Sequence, residues 1–235
     1  MRSTTVPDDG RALAHTLGAT LAALVPGARI EATRLPAAPA LRLWLLGEDL
    51  PDGPLPHEVA EAVQAEPPYW SFCWASGQAL ARRILDAPEL VRGRRVLDFG
   101  AGSGVAGIAA AVAGAERVLA CDEDPRARLA CEANAALNGV TLETVADLDA
   151  VPDVDLILIA DVLYDRANLP LLDRLLALPA DILLADSRVR PELLPAWRLV
   201  GQREAFTIPD LDESPLHRQV RFYVPQKPGS SRPSR

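Results

Sequence analysis

Leu13, Leu17, Leu21 and Leu24 recur at three- and four-residue spacing between Asp8-Asp9 and Pro26-Gly27. That is the period of an amphipathic helix over 8–25, with acidic residues at its positive end and a breaker after it. Two strand-like stretches, 29–33 and 41–46, follow on either side of a Pro-rich link. A loop rich in Pro, Gly and Asp at 49–56 then leads to a short helix over 57–65. From residue 77 the pattern becomes regular. Leu80, Ile84 and Leu85 predict a helix over 77–90, and strands are predicted at 95–99, 117–121, 141–145, 154–160 and 181–185. Helices over 105–113, 125–138 and 169–177 fall between them, the second opened by Pro125 and closed by Asn138-Gly139. A closing pair of strands is expected at 205–208 and 219–224, the latter with Val220, Phe222 and Val224 on alternate positions.

The stretch Val154, Leu156, Ile157, Leu158, Ile159 leaves almost no polar position, as in a parallel strand covered on both faces. The expected architecture is therefore α/β, a Rossmann-like, mostly parallel sheet of seven strands with helices on both faces. Residues 1–66 read as a short N-terminal α+β extension, because they carry too little apolar surface for a core of their own. Residues 67–224 form the main domain, and 225–235, PQKPGSSRPSR, read as a disordered tail.

Composition removes several classes of function. The 235 residues carry 24 Lys and Arg against 32 Asp and Glu, a net charge of −8, which disfavours nucleic acid as the main partner. Three cysteines, Cys73, Cys121 and Cys131, are too few and too scattered for a disulfide scaffold or a zinc site. The start, MRSTTVPDDG, lacks the apolar stretch of a secretory signal, and the small-apolar run 105–115 is too short to span a bilayer. A reducing, cytoplasmic setting away from membranes is the expectation; oligomeric state leaves no sequence signal.

The richest segment is Val96-Leu97-Asp98-Phe99-Gly100-Ala101-Gly102-Ser103-Gly104, between a predicted strand and a predicted helix. Gly100, Gly102 and Gly104 let the backbone turn tightly and let a ligand approach closely. Read from Gly102, the chain also satisfies GxGxxG through Gly107, so spacing alone does not separate dinucleotide from nucleoside ligands. Asp98 does discriminate. At the carboxyl end of its strand it would repel a pyrophosphate but suits the ammonium and sulfonium of S-adenosylmethionine. Asp122 ends the next strand and can accept hydrogen bonds from both ribose hydroxyls, a feature both ligand classes share. Asp147, after the third strand, is placed for an adenine amino group, or else belongs to an acidic surface loop. The acidic cluster 122–124 follows a strand where ribose is expected, so no metal is assigned to it.

Over residues 69–224, with 98–104 as a fairly specific motif, the chain resembles the class I, seven-strand S-adenosylmethionine-dependent methyltransferases. Two further segments narrow the resemblance: Pro67-Pro68-Tyr69-Trp70 leading through Trp74 to Gly77-Gln78, and Ile159-Ala160-Asp161-Val162-Leu163-Tyr164-Asp165. Asp161-x-x-Tyr164 looks like the signature of seven-strand protein-lysine methyltransferases. The first segment is similar to the branch that methylates lysines of the β-subunit of electron-transfer flavoprotein. That resemblance implies a protein substrate, an N-terminal segment closing over the cofactor, and a cofactor contact for Trp74 and Ala160. The core motifs also serve a small-molecule N-methyltransferase acting on a nicotinamide-like amine, or a ribosomal-protein lysine methyltransferase.

The residues carry the chemistry independently. Asp161, at the carboxyl end of a parallel strand, should face the crevice and capture an ammonium, while the ring face of Tyr164 favours the cation. Deprotonating a lysine at pH 7 costs about 4.6 kcal/mol; neither residue need be a strong base, since methyl transfer from a sulfonium gains mainly from alignment and charge placement. The competing expectation is that Asp161 caps a turn and Tyr164 is a packed aromatic.

Overall fold

The computed structural model describes residues 8–49, 54–164 and 166–226. Asp165, residues 50–53 of the expected loop and residues 227–235 of the expected tail lie outside the described residues. Helix α1 (Asp8–Leu24) is followed by an antiparallel hairpin of β1 (Ile30–Arg34) and β2 (Arg42–Leu46), then by α2 (His57–Ala65). The main domain continues through α3 (Ala75–Asp86), β3 (Arg95–Phe99), α4 (Val105–Val112), β4 (Arg117–Cys121), α5 (Pro125–Leu137) and β5 (Glu143–Val145). It closes with β6 (Leu156–Ala160), α6 (Leu169–Leu176), β7 (Asp181–Asp186), β8 (Trp197–Glu204) and β9 (Gln219–Pro225).

The sheet has the order β5-β4-β3-β6-β7-β9-β8. Strands β3 to β7 are parallel, and β9 runs antiparallel to both of its neighbours. Order reverses between β3 and β6, the place where open α/β sheets leave a crevice at the carboxyl ends of their strands. Alternate side chains of the buried strands feed two cores. Val96, Leu156, Leu158 and Leu183 face α3 and α4, whereas Leu97, Ile157, Ile159 and Leu184 face Leu172 and Leu175 of α6. The second face carries one full helix; the other crossings there are 3₁₀ turns such as Leu148–Ala150 and Pro191–Leu193.

The N-terminal segment does not stand apart. Leu17 and Leu21 of α1 lie on Ala127, Ala130 and Ala133 of α5, whose small side chains allow close approach. Leu41, Leu43 and Leu45 join the same buried cluster as Val105 and Ile108. Three expectations need correction. The helix expected over 77–90 begins at Ala75 and stops at Asp86, because Pro88 cannot continue it and opens a 3₁₀ turn instead. The penultimate strand is Trp197–Glu204 rather than 205–208. It is an edge strand with an irregularity between Leu199 and Gly201 and many exposed side chains, so it lacks an apolar pattern. Residues 205–208 form a return whose Ile208 exchanges both backbone hydrogen bonds with Cys73, at 2.8 and 2.9 Å. Finally, Pro225 still belongs to β9, and Gln226 donates to the carbonyls of Pro195 and Trp197, so the ordered chain runs past 224. Among the described residues no helix is long and apolar enough to cross a membrane.

Candidate active site

The loop after β3 is shaped by three glycines with φ of +66° (Gly100), +53° (Gly102) and +77° (Gly104). Gly104 is the left-handed residue that starts α4; a Cβ there would lie 3.0 Å from Cys131 Sγ and 3.1 Å from Cys131 Cα. Only glycine satisfies both conformation and space. Gly102 differs, because a Cβ on it would meet nothing within 4 Å. Its bare backbone faces an open recess lined by Trp74, Gly77, Asp98, Gly100, Gly102 and Ser103, with Ala160 on the β6 side.

Carboxylates organise this loop. Asp98 is buried and accepts the Gly107 N–H of α4 at 2.7 Å, an approach possible because Gly107 has no side chain. Burial, reinforced by the charge of Asp122, pushes the Asp98 carboxyl up to about 7. Asp122 accepts from Gly102 N–H at 2.9 Å and from Asp124 N–H at 3.0 Å, so it holds the glycine loop and the start of α5 together. Burial raises it too, against those two bonds. Each of its oxygens keeps a lone pair for a further donor. Asp147 is exposed and caps the turn Leu148–Ala150 through Ala150 N–H at 3.1 Å, outside the recess.

A second cluster adjoins the first. Asp161 follows β6 with φ +53°, in the left-handed region that a non-glycine residue enters at a cost. Its carboxylate accepts Ser76 N–H at 2.8 Å and Ser76 Oγ–H at 2.5 Å, which ties the end of β6 to the first turn of α3. Asp161 thus caps a helix, but α3 rather than the turn that follows it in sequence. Burial and the charge of Asp186 push its carboxyl up to about 7. Asp186, at the end of β7, accepts from Arg188 N–H and Val189 N–H, and its Oδ2 is buried with no partner among the described residues. Tyr164 is 53% exposed, with its ring 5.3 Å from that of Tyr69. Trp74 is half-buried, donates its indole N–H to the Tyr69 carbonyl at 3.1 Å, and lines the recess.

The fold therefore brings Trp74, Asp98, Gly100, Gly102 and Ala160 to one recess, with Asp122 and Gly104 shaping its loop and Asp161 following Ala160; Asp147 does not line the recess, although its charge reaches Cys121 at the end of β4 together with those of Asp122 and Asp98. Sequence reasoning missed Ser76, Asn134 and Tyr69. Asn134, fully buried, accepts Trp44 N–H of β2 at 2.6 Å and donates to the Ser103 carbonyl at 2.9 Å, joining the N-terminal hairpin to the glycine loop. The available signal was an Asn at the inward face of a predicted helix, where an unpaired amide is not tolerated. The recess fits S-adenosylmethionine: bare backbone at Gly102, a carboxylate for ribose at Asp122, and a buried acid at Asp98 that gains by meeting positive charge.

Residues 79–174 match the family of ribosomal protein L11 methyltransferases (PrmA). The electron transfer flavoprotein beta subunit lysine methyltransferase of Homo sapiens is 42% identical over 114 residues, 46% of this chain and 43% of that protein. Its counterpart from Xenopus laevis is 41% identical over 140 residues, 57% of this chain and 55% of that protein. The matched part thus spans about half the length of these relatives, or less. A solved structure, the T. thermophilus 16S rRNA N2 G1207 methyltransferase (RsmC) with AdoMet and guanosine, shares the fold at a TM-score of 0.50. It is 17% identical and covers 85% of this chain and 51% of that one.

Proposed function

We propose that this chain, which carries a class I, seven-strand methyltransferase fold, is a protein-lysine N-methyltransferase that uses S-adenosylmethionine and modifies the β-subunit of electron-transfer flavoprotein. The observation that carries the reading is Asp161, held in a left-handed conformation by Ser76 beside the glycine recess and three residues before an exposed tyrosine. Backbone strain kept at the carboxyl end of a strand, beside a ligand recess, marks a functional position. The likeness to the human and Xenopus lysine methyltransferases supports the acceptor.

S-adenosylmethionine, when bound, supplies a methyl group on a positively charged sulfur. The loop at 100–103 and Trp74 would hold it, Asp122 would accept from the ribose hydroxyls, and Asp98 would offer its charge to the methionine end. Asp161 accepts a hydrogen bond from the incoming ammonium and aims its nitrogen, while Tyr164 covers the cation and strips its water. Desolvation lowers the affinity of the ammonium for its proton, and burial with the charge of Asp186 holds the Asp161 carboxyl above the usual carboxylate range. The gain is chiefly alignment and charge placement.

The family match at 79–174 favours a second acceptor, ribosomal protein L11. The test is incubation with methyl-tritiated S-adenosylmethionine and, in separate reactions, electron-transfer flavoprotein β-subunit, ribosomal protein L11 and nicotinamide. Label on lysine of the flavoprotein subunit is the expected result. Label only on L11 would move the acceptor, and label only on nicotinamide would overturn the protein-lysine reading.

A further inference from the structure

Tyr69 has no part in the mechanism above, yet its ring lies between those of Trp74 and Tyr164. It opens the 3₁₀ turn Tyr69–Ser71, in which the next residue, Trp70, is 1% exposed while Tyr69 is 40% exposed. The turn sends neighbouring aromatics in different directions, one into the core with α1 and α5 and one to the surface. At the surface the Tyr69 ring meets Tyr164 at 5.3 Å, tilted by 55°, and Trp74 at 5.7 Å, edge to face. The same short segment therefore supplies Trp74 to the cofactor recess, Ser76 to the Asp161 carboxylate and Tyr69 to Tyr164, across more than eighty residues of chain.

From this arrangement we infer that Tyr69 is a substrate-contacting residue: with Tyr164 it forms an aromatic mouth that takes the stem and ammonium of the acceptor lysine and selects for a cationic side chain. The inference rests on the lysine reading and names a residue on its acceptor side. Two large rings left partly in water are covered at low cost when an alkyl-ammonium enters. Ring faces favour the cation, and Asp161, three residues before Tyr164 and bonded to Ser76 of the same segment as Tyr69, supplies the opposite charge. A neutral chain of the same length gains only the contact with the rings and leaves the carboxylate unmatched.

The experiment compares wild type, Tyr69→Phe and Tyr69→Leu with tritiated S-adenosylmethionine and purified electron-transfer flavoprotein β-subunit, alongside calorimetry of cofactor binding. Leucine keeps apolar bulk and removes the ring face, so the acceptor KM should rise on the order of tenfold, with cofactor Kd unchanged. Phenylalanine keeps the face and should stay within about threefold of wild type. An unchanged KM in the leucine variant overturns the inference. So does a rise in cofactor Kd that matches the rise in acceptor KM, which would make Tyr69 a support for Trp74. Failure of wild type itself to label lysine would instead overturn the lysine reading.

Discussion

Replacing Asp98 by Asn should make the protein more stable and its cofactor affinity worse, and both changes should depend on pH. Asp98 is 3% exposed, and its carboxyl is pushed from an ordinary 3.8 to about 7, first by burial and then by the charge of Asp122, with the Gly107 bond pulling the other way. A carboxyl that holds its proton more tightly when folded favours the folded state at low pH. That contribution is complete below 3.8 and is lost as pH rises towards about 7. Between pH 5 and pH 8 the loss is roughly 2 to 3 kcal/mol, an upper bound because the interior relaxes. The amide of the Asp98→Asn variant would carry no charge at any pH, and its carbonyl can still accept the Gly107 N–H. Asp122, Asp161 and Asp186, also raised, remain in both proteins, so the difference between variant and wild type isolates Asp98. Urea unfolding should find the variant's lead over wild type growing by roughly 2 to 3 kcal/mol between pH 5 and pH 8, and vanishing only as pH falls below 3.8. Calorimetry should show S-adenosylmethionine binding to wild type weaken as pH falls through 7. The variant should bind about 10- to 100-fold more weakly at pH 8, the value of one charge-assisted contact. A variant equally destabilised at both pH values would mean that the ionised carboxylate is structural, and unchanged affinity would remove Asp98 from the cofactor site.

Asp161→Asn keeps an acceptor for Ser76 N–H but not the charge; single-turnover transfer should slow on the order of a hundredfold while cofactor Kd stays within a few-fold. Near-normal transfer would leave Asp161 as the cap of α3 and nothing more. Asn134→Ala strands Trp44 N–H and the Ser103 carbonyl, which should cost about 2 to 4 kcal/mol in urea unfolding and loosen cofactor binding by way of the glycine loop. A loss of stability with cofactor Kd untouched would show that the hairpin does not support that loop.

The parts of this molecule that were legible in its sequence are those written in local patterns. Strand β6, Leu156–Ala160, is apolar at every position because both faces are covered, and the glycines at 100, 102 and 104 stand where the backbone must turn with positive φ. Strand β8 was not legible: it is an edge with Arg198, Gln202 and Arg203 along it, paired only to β9, so burial imprinted no alternation. The merging of Leu41, Leu43 and Leu45 with the main core was hidden for a different reason, since a short apolar strand looks the same whichever surface it covers. In the site, Asp98, Asp122 and Asp161 were visible as acids at strand ends. Their partners Gly107, Gly102 and Ser76 were not, because a hydrogen bond between positions 76 and 161 leaves no trace in the spacing of either segment. What the geometry adds is that each acid also holds the backbone in place.

Methyl transfer from this crevice to a lysine changes the mass of the acceptor, and that mass is the decisive readout. Electron-transfer flavoprotein β-subunit should be incubated with S-adenosylmethionine and the wild-type chain, then digested and sequenced by tandem mass spectrometry. Methyl groups should appear on lysine Nζ and be absent when Asp161→Asn replaces the wild type over the same interval. A methyl group on another residue type, or lysine methylation undiminished in the Asn variant, would contradict that expectation.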